Sequence, residues 1–220
     1  IMSLISDIQP QKKNPKRVNI FIDGDFAFGI SRESKIVNQI KIGETLTEKK
    51  TQELIFKDQV ERLYEKAIKF LSYRPRSEKE IRDNLLQKLK LTDKGEEEKK
   101  NFQKSIEQVL DKLRKLELVN DREFTIWWVE QRTKFRKSSP RIIKSELFKK
   151  GIDKEIIEQV LNEAEIDPFQ LALEGAKKKL SLYRRLAPKE FREKTSRFLA
   201  SKGFDWEVIK RVVDTLSKEE

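Results

Sequence analysis

The sequence contains neither cysteine nor histidine among its 220 residues. It therefore forms no disulfide bond, and thiol nucleophiles, Ser-His-Asp triads and zinc sites built from Cys or His are excluded. Catalysis would have to rest on carboxylates, lysine, tyrosine or serine. A run of about eighteen apolar residues is also missing, as is an N-terminal basic segment followed by an apolar one, so we expect a soluble, cytoplasmic protein.

Apolar residues are few, and so are glycine and proline. Hydrophobic residues make up 36% of the chain, beside 7 Gly and 6 Pro. This share is low for one compact core at this length, and a core divided among small modules fits it better. The 13 Phe argue against disorder, because disordered segments rarely carry so many large apolar side chains. We therefore expect a folded chain that is mainly helical.

The formal net charge is +11, which makes nucleic acid, an acidic protein surface or an anionic membrane the candidate partners. Residues 132–150 hold eight Lys or Arg and one acidic residue, and residues 177–202 hold ten and two. Residues 153–167 run the other way, with six acidic residues and one Lys. Ordinary surfaces mix both signs, so this segregation favours a binding surface; solvated helix faces are the alternative.

We define the basic stripe as cations of the two positive segments, with two arginines further upstream, that we expect to contact phosphates or acidic side chains. If stacking of modules brings them to one side, they form a continuous positive surface. Its members are Arg74, Arg76, Arg132, Lys134, Arg136, Lys137, Arg141, Lys144, Lys177, Lys178, Lys179, Arg184, Arg185, Arg192 and Arg197.

Near the N-terminus, apolar and other residues alternate on either side of Asp23-Gly24-Asp25. This pattern over residues 18–30 predicts a hairpin with Gly24 at a positive-φ turn position, and residues 4–9 predict a third strand. We expect one hairpin face to carry Val18, Ile20, Ile22, Phe26, Phe28 and Ile30. We interpret the two aspartates as turn formers rather than a divalent-metal pair, because no further carboxylates accompany them. Residues 33–40 and 47–73 then have helical spacing.

The stretch SYRPRSEKEI, residues 72–81, predicts a tight corner between two helices. Pro75 disfavours helical geometry at Arg74 and so ends the first helix. Ser77 restarts the helix: its hydroxyl can accept the N–H of Glu80, whose carboxylate can reach back to the Ser77 N–H, a capping box worth about 1 kcal/mol. The arginines that flank the proline are then either solvated corner charges or contacts with a partner.

A second pattern repeats further along the chain. Residues 151–161 and 203–213 align at a constant offset, and each copy starts at the Gly of a Lys-Gly pair that closes one helix, with an Asp that caps the next. Residues 106–110 are identical to residues 157–161 and form a third copy, after a charged insertion at 91–101. Three helices per unit, repeated three times, is the simplest interpretation.

We therefore predict a mainly α protein, with tandem three-helix repeats in an elongated, curved array and a small N-terminal β-hairpin/helix domain. The predicted domains are residues 1–62 for the hairpin and its helix, then 63–118, 119–167 and 168–220 for the three repeats. Modules that bury their faces mainly against neighbours would explain the low apolar content.

Trp127, Trp128 and Phe135 follow Phe124 in the first part of the predicted second repeat. Trp127 and Trp128 are about 100° apart on a helix, so a narrow apolar stripe cannot bury both. We expect at least one to pack in the core, with base stacking by the other as the alternative. Phe135, between Lys134 and Arg136, is interpreted as the end of the core stripe rather than as a stacking platform.

Taken together, these motifs resemble the RecX family of regulatory proteins, which modulate the recombinase RecA. The likeness runs from about residue 16 to near the C-terminus, and it is carried by VNIFIDGDFAFGIS, SYRPRSEKEIRDNLLQKL, LELVNDREF, ELFKKGID and LASKGFDWEVI. Thr125 and Ile126 depart from it where the family often has a small residue, and Thr195 stands where an apolar residue is usual.

The resemblance implies a non-enzymatic protein of three-helix units that binds in the groove of a RecA filament on DNA. There it would contact more than one RecA protomer, restrain ATP-linked changes, and limit filament growth or strand exchange. Family members also bind DNA directly, so RecA, the RecA filament on single-stranded DNA, and DNA itself are the expected partners of the basic stripe. We expect a monomer with no cofactor, no metal and no membrane partner.

Charge and helical corners alone leave two other hypotheses open. One is an autonomous DNA-binding protein of the helix-turn-helix type, which dimeric, sequence-selective binding to duplex DNA would favour. The other is a nuclease that uses carboxylates and a metal ion. The lack of histidine and of a convergent acidic cluster argues against the nuclease.

Overall fold

The computed structural model describes residues 2–87, 95–183 and 186–218, and the chain divides into two compact units. Unit 1 consists of Ile1–Tyr73 and Arg82–Leu116, and unit 2 consists of Arg74–Ile81 and Glu117–Glu220. The predicted corner at residues 72–81 thus contributes most of its length to unit 2. Within the described ranges, no helix is both long enough and apolar enough to cross a membrane.

Unit 1 begins with an antiparallel sheet. Its strands are β1 (Met2–Gln11), β2 (Asn14–Ile22), β3 (Asp25–Ser31) and β4 (Thr45–Thr47). The strands lie in the order β3-β2-β1-β4, which confirms the predicted hairpin and third strand. Asp23 and Gly24 form the hairpin turn with φ of 51° and 96°, and positive φ at both positions suits the twist of a two-residue hairpin. The short strand β4 was not predicted.

The predicted apolar face of the hairpin is correct except at one end. Its buried members are Val18, Ile20, Phe28 and Ile30. Phe26 is 60% exposed, so its assignment to this face was wrong. A register shift explains the error: Ile20 pairs with Phe28 but Phe21 pairs with Phe26, so β3 holds one extra residue there. At this bulge the side chains of β3 change which face of the sheet they point to. The ring of Phe26 packs edge-on against the ring of Phe21, with 6.0 Å between the ring centroids.

Helices of unit 1 pack against the sheet and against one another. They are α1 (Arg32–Val37), α2 (Glu48–Leu71) and α4 (Glu96–Lys115), while α3 (Glu78–Leu86) starts in unit 2 and ends in unit 1. The guanidinium of Arg17 on β2 donates to both carboxylate oxygens of Asp58 on α2, at 2.8 and 2.7 Å. Residues 91–94 of the charged insertion lie outside the described residues. Its remaining residues, 95–101, form the start of α4 and the cap before it.

Unit 2 contains the second and third predicted repeats. Its remaining elements are α5 (Asp121–Gln131), a π-helical turn (Arg132–Arg136), α6 (Pro140–Lys149), α7 (Lys154–Glu163), α8 (Pro168–Lys177), α9 (Leu180–Tyr183), α10 (Pro188–Ser201) and α11 (Trp206–Leu216). Two apolar clusters form its core, one on α5–α7 around Phe124 and Ile157, and one on α8, α10 and α11 around Phe191 and Val212. Tandem helical repeats are thus confirmed, while the exact domain boundaries stay predictions.

Both Lys-Gly pairs end a helix as predicted. Gly151 follows α6 with φ 77°, and Gly203 follows α10 with φ 80°, the left-handed conformation that glycine adopts most easily. Asp153 then caps α7, because its carboxylate accepts the N–H of Glu155 at 2.7 Å. Asp205 occupies the same position before α11, but its side chain makes no cap hydrogen bond to that helix among the described residues. Asp205 is therefore the N-cap residue of α11 as predicted, but without the side-chain hydrogen bond that Asp153 makes.

Candidate functional site

The corner at residues 72–81 is built as its sequence predicted. The Glu80 N–H donates to the Ser77 hydroxyl at 3.2 Å, and the Ser77 N–H donates to the Glu80 carboxylate at 3.3 Å. This reciprocal pair is the predicted capping box at the start of α3. The centre of the corner is therefore closed by two hydrogen bonds, which fix the start of α3 relative to the turn before it.

Each Lys-Gly turn closes on the start of a helix from the preceding repeat. The Ser77 hydroxyl donates to the Lys150 carbonyl at 2.8 Å. In the next repeat, the Ser139 hydroxyl donates to the Gly203 carbonyl at 2.8 Å, and the Ser139 N–H donates to the Lys202 carbonyl at 2.9 Å. One serine thus caps its own helix and also ties down a turn far along the chain. This pairing was not predicted, because nothing in a serine's local context indicates a distant acceptor.

Trp128 lies at the centre of a cluster of cations in unit 2. Trp128 is 7% exposed, with the guanidinium carbon of Arg132 4.0 Å and the Lys150 ammonium 4.1 Å from its ring centroid. Its indole N–H donates to Glu146 at 2.8 Å, and the same oxygen accepts from Arg132. The prediction that at least one tryptophan packs in the core is therefore confirmed, while Trp127 is half-buried beside it.

Glu80 neutralises two of the cations around this tryptophan. It accepts from the Arg74 guanidinium at 3.0 and 2.7 Å, and from the Lys150 ammonium at 2.6 Å. Burial by itself raises the pKa of Glu80, but the hydrogen bonds and charges of Arg74 and Lys150 outweigh it and lower that pKa to about 2. The Arg74 guanidinium carbon also lies 5.8 Å from the Trp128 ring centroid. Arg74 thus holds the corner against the second repeat.

The basic stripe separates into groups by the contacts of its side chains. Five members pair with carboxylates of unit 2: Arg74 with Glu80, Arg132 with Glu146, Lys137 with Glu174, Lys144 with Glu158, and Arg192 with Asp214. Three others make further contacts or are half-buried: Arg76, Lys177 and Lys179. Arg184 and Arg185 lie outside the described residues.

Five members of the stripe are exposed and form no ion pair within the described parts of the chain. They are Lys134, Arg136, Arg141, Lys178 and Arg197; Lys178 forms no ion pair but, after Lys137, its charge helps to lower the pKa of Glu174. An exposed cation without a carboxylate partner keeps its full charge for an approaching anion, whereas a paired one is partly neutralised. We name these five the open cations.

The positive regions of the second and third repeats adjoin one another. Lys137 follows the π-helical turn and pairs with Glu174 on α8, and its Cβ would lie 3.1 Å from a Cβ added to Gly175. The same added Cβ would lie 4.0 Å from the ring of Phe198 on α10. The Lys202 ammonium lies 5.7 Å from the centroid of that ring. Unit 2 therefore brings cationic segments 132–150 and 177–202 together around Gly175 and Phe198.

Phe135 and Trp206 are aromatic residues of unit 2 whose exposure was not predicted. Phe135 lies on the π-helical turn and is 62% exposed, so its assignment to the core was wrong. Trp206 at the start of α11 is 68% exposed. A signal for it existed: in the alignment of the two Lys-Gly copies, Trp206 stands at the position of Lys154, which is a solvent position.

Acidic side chains do not converge on a metal site in the described part of the chain. No group of three or more Asp or Glu there is arranged to hold a metal ion. Asp23 instead belongs to the hairpin, where its carboxylate accepts the N–H of Leu4 at 3.3 Å.

Family models match the chain along most of its length. The regulatory protein RecX N-terminal domain matches residues 3–47, and the first, second and third RecX three-helix domains match residues 64–89, 120–161 and 165–213. A regulatory protein RecX of Bacillus velezensis is 32% identical over 99% of this chain and 79% of its own length. One of Listeria innocua is 36% identical over 94% of this chain and 73% of its own.

Two solved structures resemble this one. A crystal structure of regulatory protein RecX covers 96% of this chain and 99% of its own, with a TM-score of 0.61 at 29% identity. A crystal structure of RecX from Lactobacillus salivarius covers 73% of this chain and 97% of its own, with a TM-score of 0.54 at 28% identity. Fold and sequence thus agree on the same relatives.

Proposed function

The chain belongs to the RecX family of regulatory proteins, and from that premise we propose that it binds in the groove of the RecA–DNA filament and modulates RecA. The main effect is inhibition: the bound chain contacts more than one RecA protomer, restrains ATP-linked changes, and limits filament growth and strand exchange. It acts by binding alone, without catalysis or a cofactor, and it also contacts DNA directly. It works as a monomer in the cytoplasm.

One observation carries this proposal: cationic segments of two successive repeats adjoin in unit 2. The π-helical turn of the second repeat is held against α8 of the third through Lys137, Glu174 and Gly175. A filament on DNA presents phosphates and protomer surfaces at regular intervals, and a positive surface that spans two repeats can meet several of them at once. Individual contacts of this kind are weak, but their sum provides affinity without sequence selection.

The most direct test is the DNA-dependent ATP hydrolysis of RecA. We expect the rate to fall as this protein is added, because the filament is restrained where it binds. Absence of inhibition at every ratio would contradict the proposal. If the protein then bound one duplex sequence tightly as a dimer, the helix-turn-helix hypothesis would replace it.

A charge-reversal variant tests whether the basic stripe does the binding. Replacing Lys134, Arg136 and Arg141 by Glu leaves the paired cations of unit 2 in place and removes three open cations. We expect weaker binding to RecA filaments and a flatter dependence of affinity on salt, because fewer counterions are released. The matched control replaces the exposed Lys12, Lys13 and Lys16 by Glu, with the same change in net charge. An equal loss of affinity in both variants would show that the basic stripe does not do the binding.

A further inference from the structure

Phe135 is displayed at the surface by a rigid turn. The π-helical turn continues α5 and ends at Lys137, which adopts a left-handed φ of 50°. The Ser138 N–H donates to the Arg132 carbonyl at 3.1 Å, and the Thr133 hydroxyl donates to the Val129 carbonyl at 2.9 Å. π-Helical turns are rare and frequently lie at functional sites. The exposure of the ring is therefore a property of well-bonded backbone and not of a loose end.

The charges around this ring are sorted in a specific way. Lys134 and Arg136, its two chain neighbours, are open cations, and the Lys134 ammonium lies 5.6 Å from the ring centroid. The cations at the two ends of the turn are different, because Arg132 pairs with Glu146 and Lys137 pairs with Glu174. Carboxylates thus fix the ends of the turn, while its exposed middle combines one aromatic face with two full positive charges.

This combination fits one kind of ligand. Proteins that hold single-stranded nucleic acid without sequence preference use aromatic rings for stacking on bases and cations for the neighbouring phosphates. We propose that Phe135 stacks on an unpaired base of single-stranded DNA, with Lys134 and Arg136 on the phosphates at either side. This inference rests on the direct DNA contact included in the proposed function.

The base must be unpaired for a geometric reason. In a duplex both faces of each base are covered by its stacked neighbours, so a protein ring reaches a base face only where the stack is open. A single ring at the protein surface therefore favours single strands over duplex of the same sequence. It also tolerates all four bases, because each of them has an aromatic face.

The experiment measures the Kd for fluorescein-labelled oligothymidine by anisotropy at one salt concentration, with the native chain and Phe135→Ala. We expect the variant to bind about 5- to 150-fold more weakly, the range that loss of one stacked base produces. On an abasic oligonucleotide of the same length the two proteins should bind alike, because the phosphates are kept and the base is gone. An equal loss on the abasic strand would overturn the inference.

Further variants separate stacking from other roles of the side chain. Phe135→Tyr keeps an aromatic face and should bind as the native chain does, whereas Phe135→Leu keeps apolar surface and should bind as weakly as Phe135→Ala. If leucine supports full binding, a general apolar contact with the DNA is the better explanation and base stacking is wrong. Phe26→Ala is the matched control. Phe26 is 60% exposed, close to the 62% of Phe135, but its preceding residue is the acidic Asp25 and no cation flanks it in the chain, so the variant should leave the Kd unchanged.

The result is independent of the RecA assay. If the native chain binds no single-stranded DNA, base stacking is wrong, while inhibition of RecA ATP hydrolysis still decides the regulatory function. Far-UV circular dichroism of each variant checks that helix content is retained, as expected for changes to an exposed ring.

Discussion

The two Lys-Gly junctions of unit 2 share one backbone arrangement but differ in side-chain chemistry. At the first, Gly151 lies against Lys79, and Glu80 binds Arg74 and Lys150. At the second, Gly203 lies against Ile142 and the buried Ser139, with serine-to-backbone hydrogen bonds and no bridging carboxylate among the described residues. Two copies of a repeat can thus share a turn geometry and a serine-to-carbonyl hydrogen bond, while one copy adds ion pairs and the other adds apolar packing. The two junctions should therefore respond differently to mutation and to pH.

The largest expected effect is that of adding a methyl group at the second junction. In Gly203→Ala the new Cβ would lie 2.5 Å from Ile142 Cγ1 and 2.7 Å from the Ser139 hydroxyl, on top of the strain of φ 80°. We expect the free energy of unfolding to fall by about 3 kcal/mol. Urea unfolding followed by tryptophan fluorescence measures it, because all three Trp lie in unit 2.

Gly151→Ala is the matched variant at the first junction. Its Cβ would lie 2.5 Å from Lys79 Cδ, which is exposed and can move away, and 2.7 Å from Lys79 Cβ, which moves only with its helix. The cost should therefore exceed the strain of φ alone but stay below that of Gly203→Ala, whose contacts are with buried or half-buried side chains, at about 2 kcal/mol. A loss for Gly151→Ala as large as that for Gly203→Ala would contradict the distinction between the junctions.

The second prediction concerns how the free energy of unfolding depends on pH through Glu80 at the first junction. The folded pKa of Glu80 is about 2, below its ordinary 4.5, so the unfolded chain binds more protons between these values and stability rises with pH there. The Glu80 contribution is thus complete above about pH 4.5 and is lost as pH falls toward 2. Glu80→Gln should lower the free energy of unfolding by about 2 kcal/mol at pH 7 and remove this part of the acid dependence.

The control for the acid prediction is the same titration of Ser139→Ala, which weakens the second junction without removing a carboxylate. Its loss of stability should be the same at pH 3 and pH 7. Burial raises the pKa of Asp121 nearby, which acts in the opposite direction, but Asp121 is common to both variants. If the difference in free energy of unfolding between Glu80→Gln and the native chain is the same at pH 3 and pH 7, Glu80 does not hold the junction by charge.

A third, smaller effect is expected at two buried threonines, one in each repeat of unit 2, whose hydroxyls differ in hydrogen bonding. Thr195 on α10 is 1% exposed, and its hydroxyl has no hydrogen-bond partner among the described residues. Thr125 on α5 is also buried, but its hydroxyl donates to the Asp121 carbonyl at 2.6 Å. Thr195→Val should raise the free energy of unfolding by about 1 kcal/mol, whereas Thr125→Val should not raise it. Stabilisation of both, measured by urea unfolding, would show that the hydrogen bond contributes nothing.

The smallest effect is expected at the two aspartates that follow the junctions. Asp153 caps α7 through the Glu155 N–H, while the Asp205 side chain makes no such bond to α11. Asp153→Ala should cost about 0.5 to 1 kcal/mol and Asp205→Ala less than that, as thermal unfolding would measure. An equal cost for both would point to the charge near the helix N-terminus, rather than the hydrogen bond, as the stabilising factor.

Much of the fold follows from short-range patterns in the sequence. The alternation over residues 18–30, the Ser77–Glu80 capping box and the Lys-Gly turns were all predicted, because each depends on residues within a few positions of one another. Phe26 and Phe135 were assigned wrongly for a related reason. One extra residue in β3 and a π-helical turn after α5 each change which way the next side chain points, and neither has a clear pattern in composition or periodicity.

The candidate site was predictable in composition but not in arrangement. The concentration of cations in residues 132–150 and 177–202 could be counted from the sequence. Which of them remain open could not, because Glu146, Glu158 and Glu174 neutralise particular members through contacts between different helices.

Local chemistry in the chain thus determined its helices, its turns and its excess of positive charge, since caps, glycine conformations and hydrophobic periodicity act over a few residues. Tertiary structure alone decided that Ser77 and Ser139 each hold a turn from the following repeat, that two cationic segments adjoin, and that Phe135 faces solvent. The physical reason is distance along the chain: these contacts join residues that only the packing of whole helices brings together, and a side chain's exposure depends on everything packed around it.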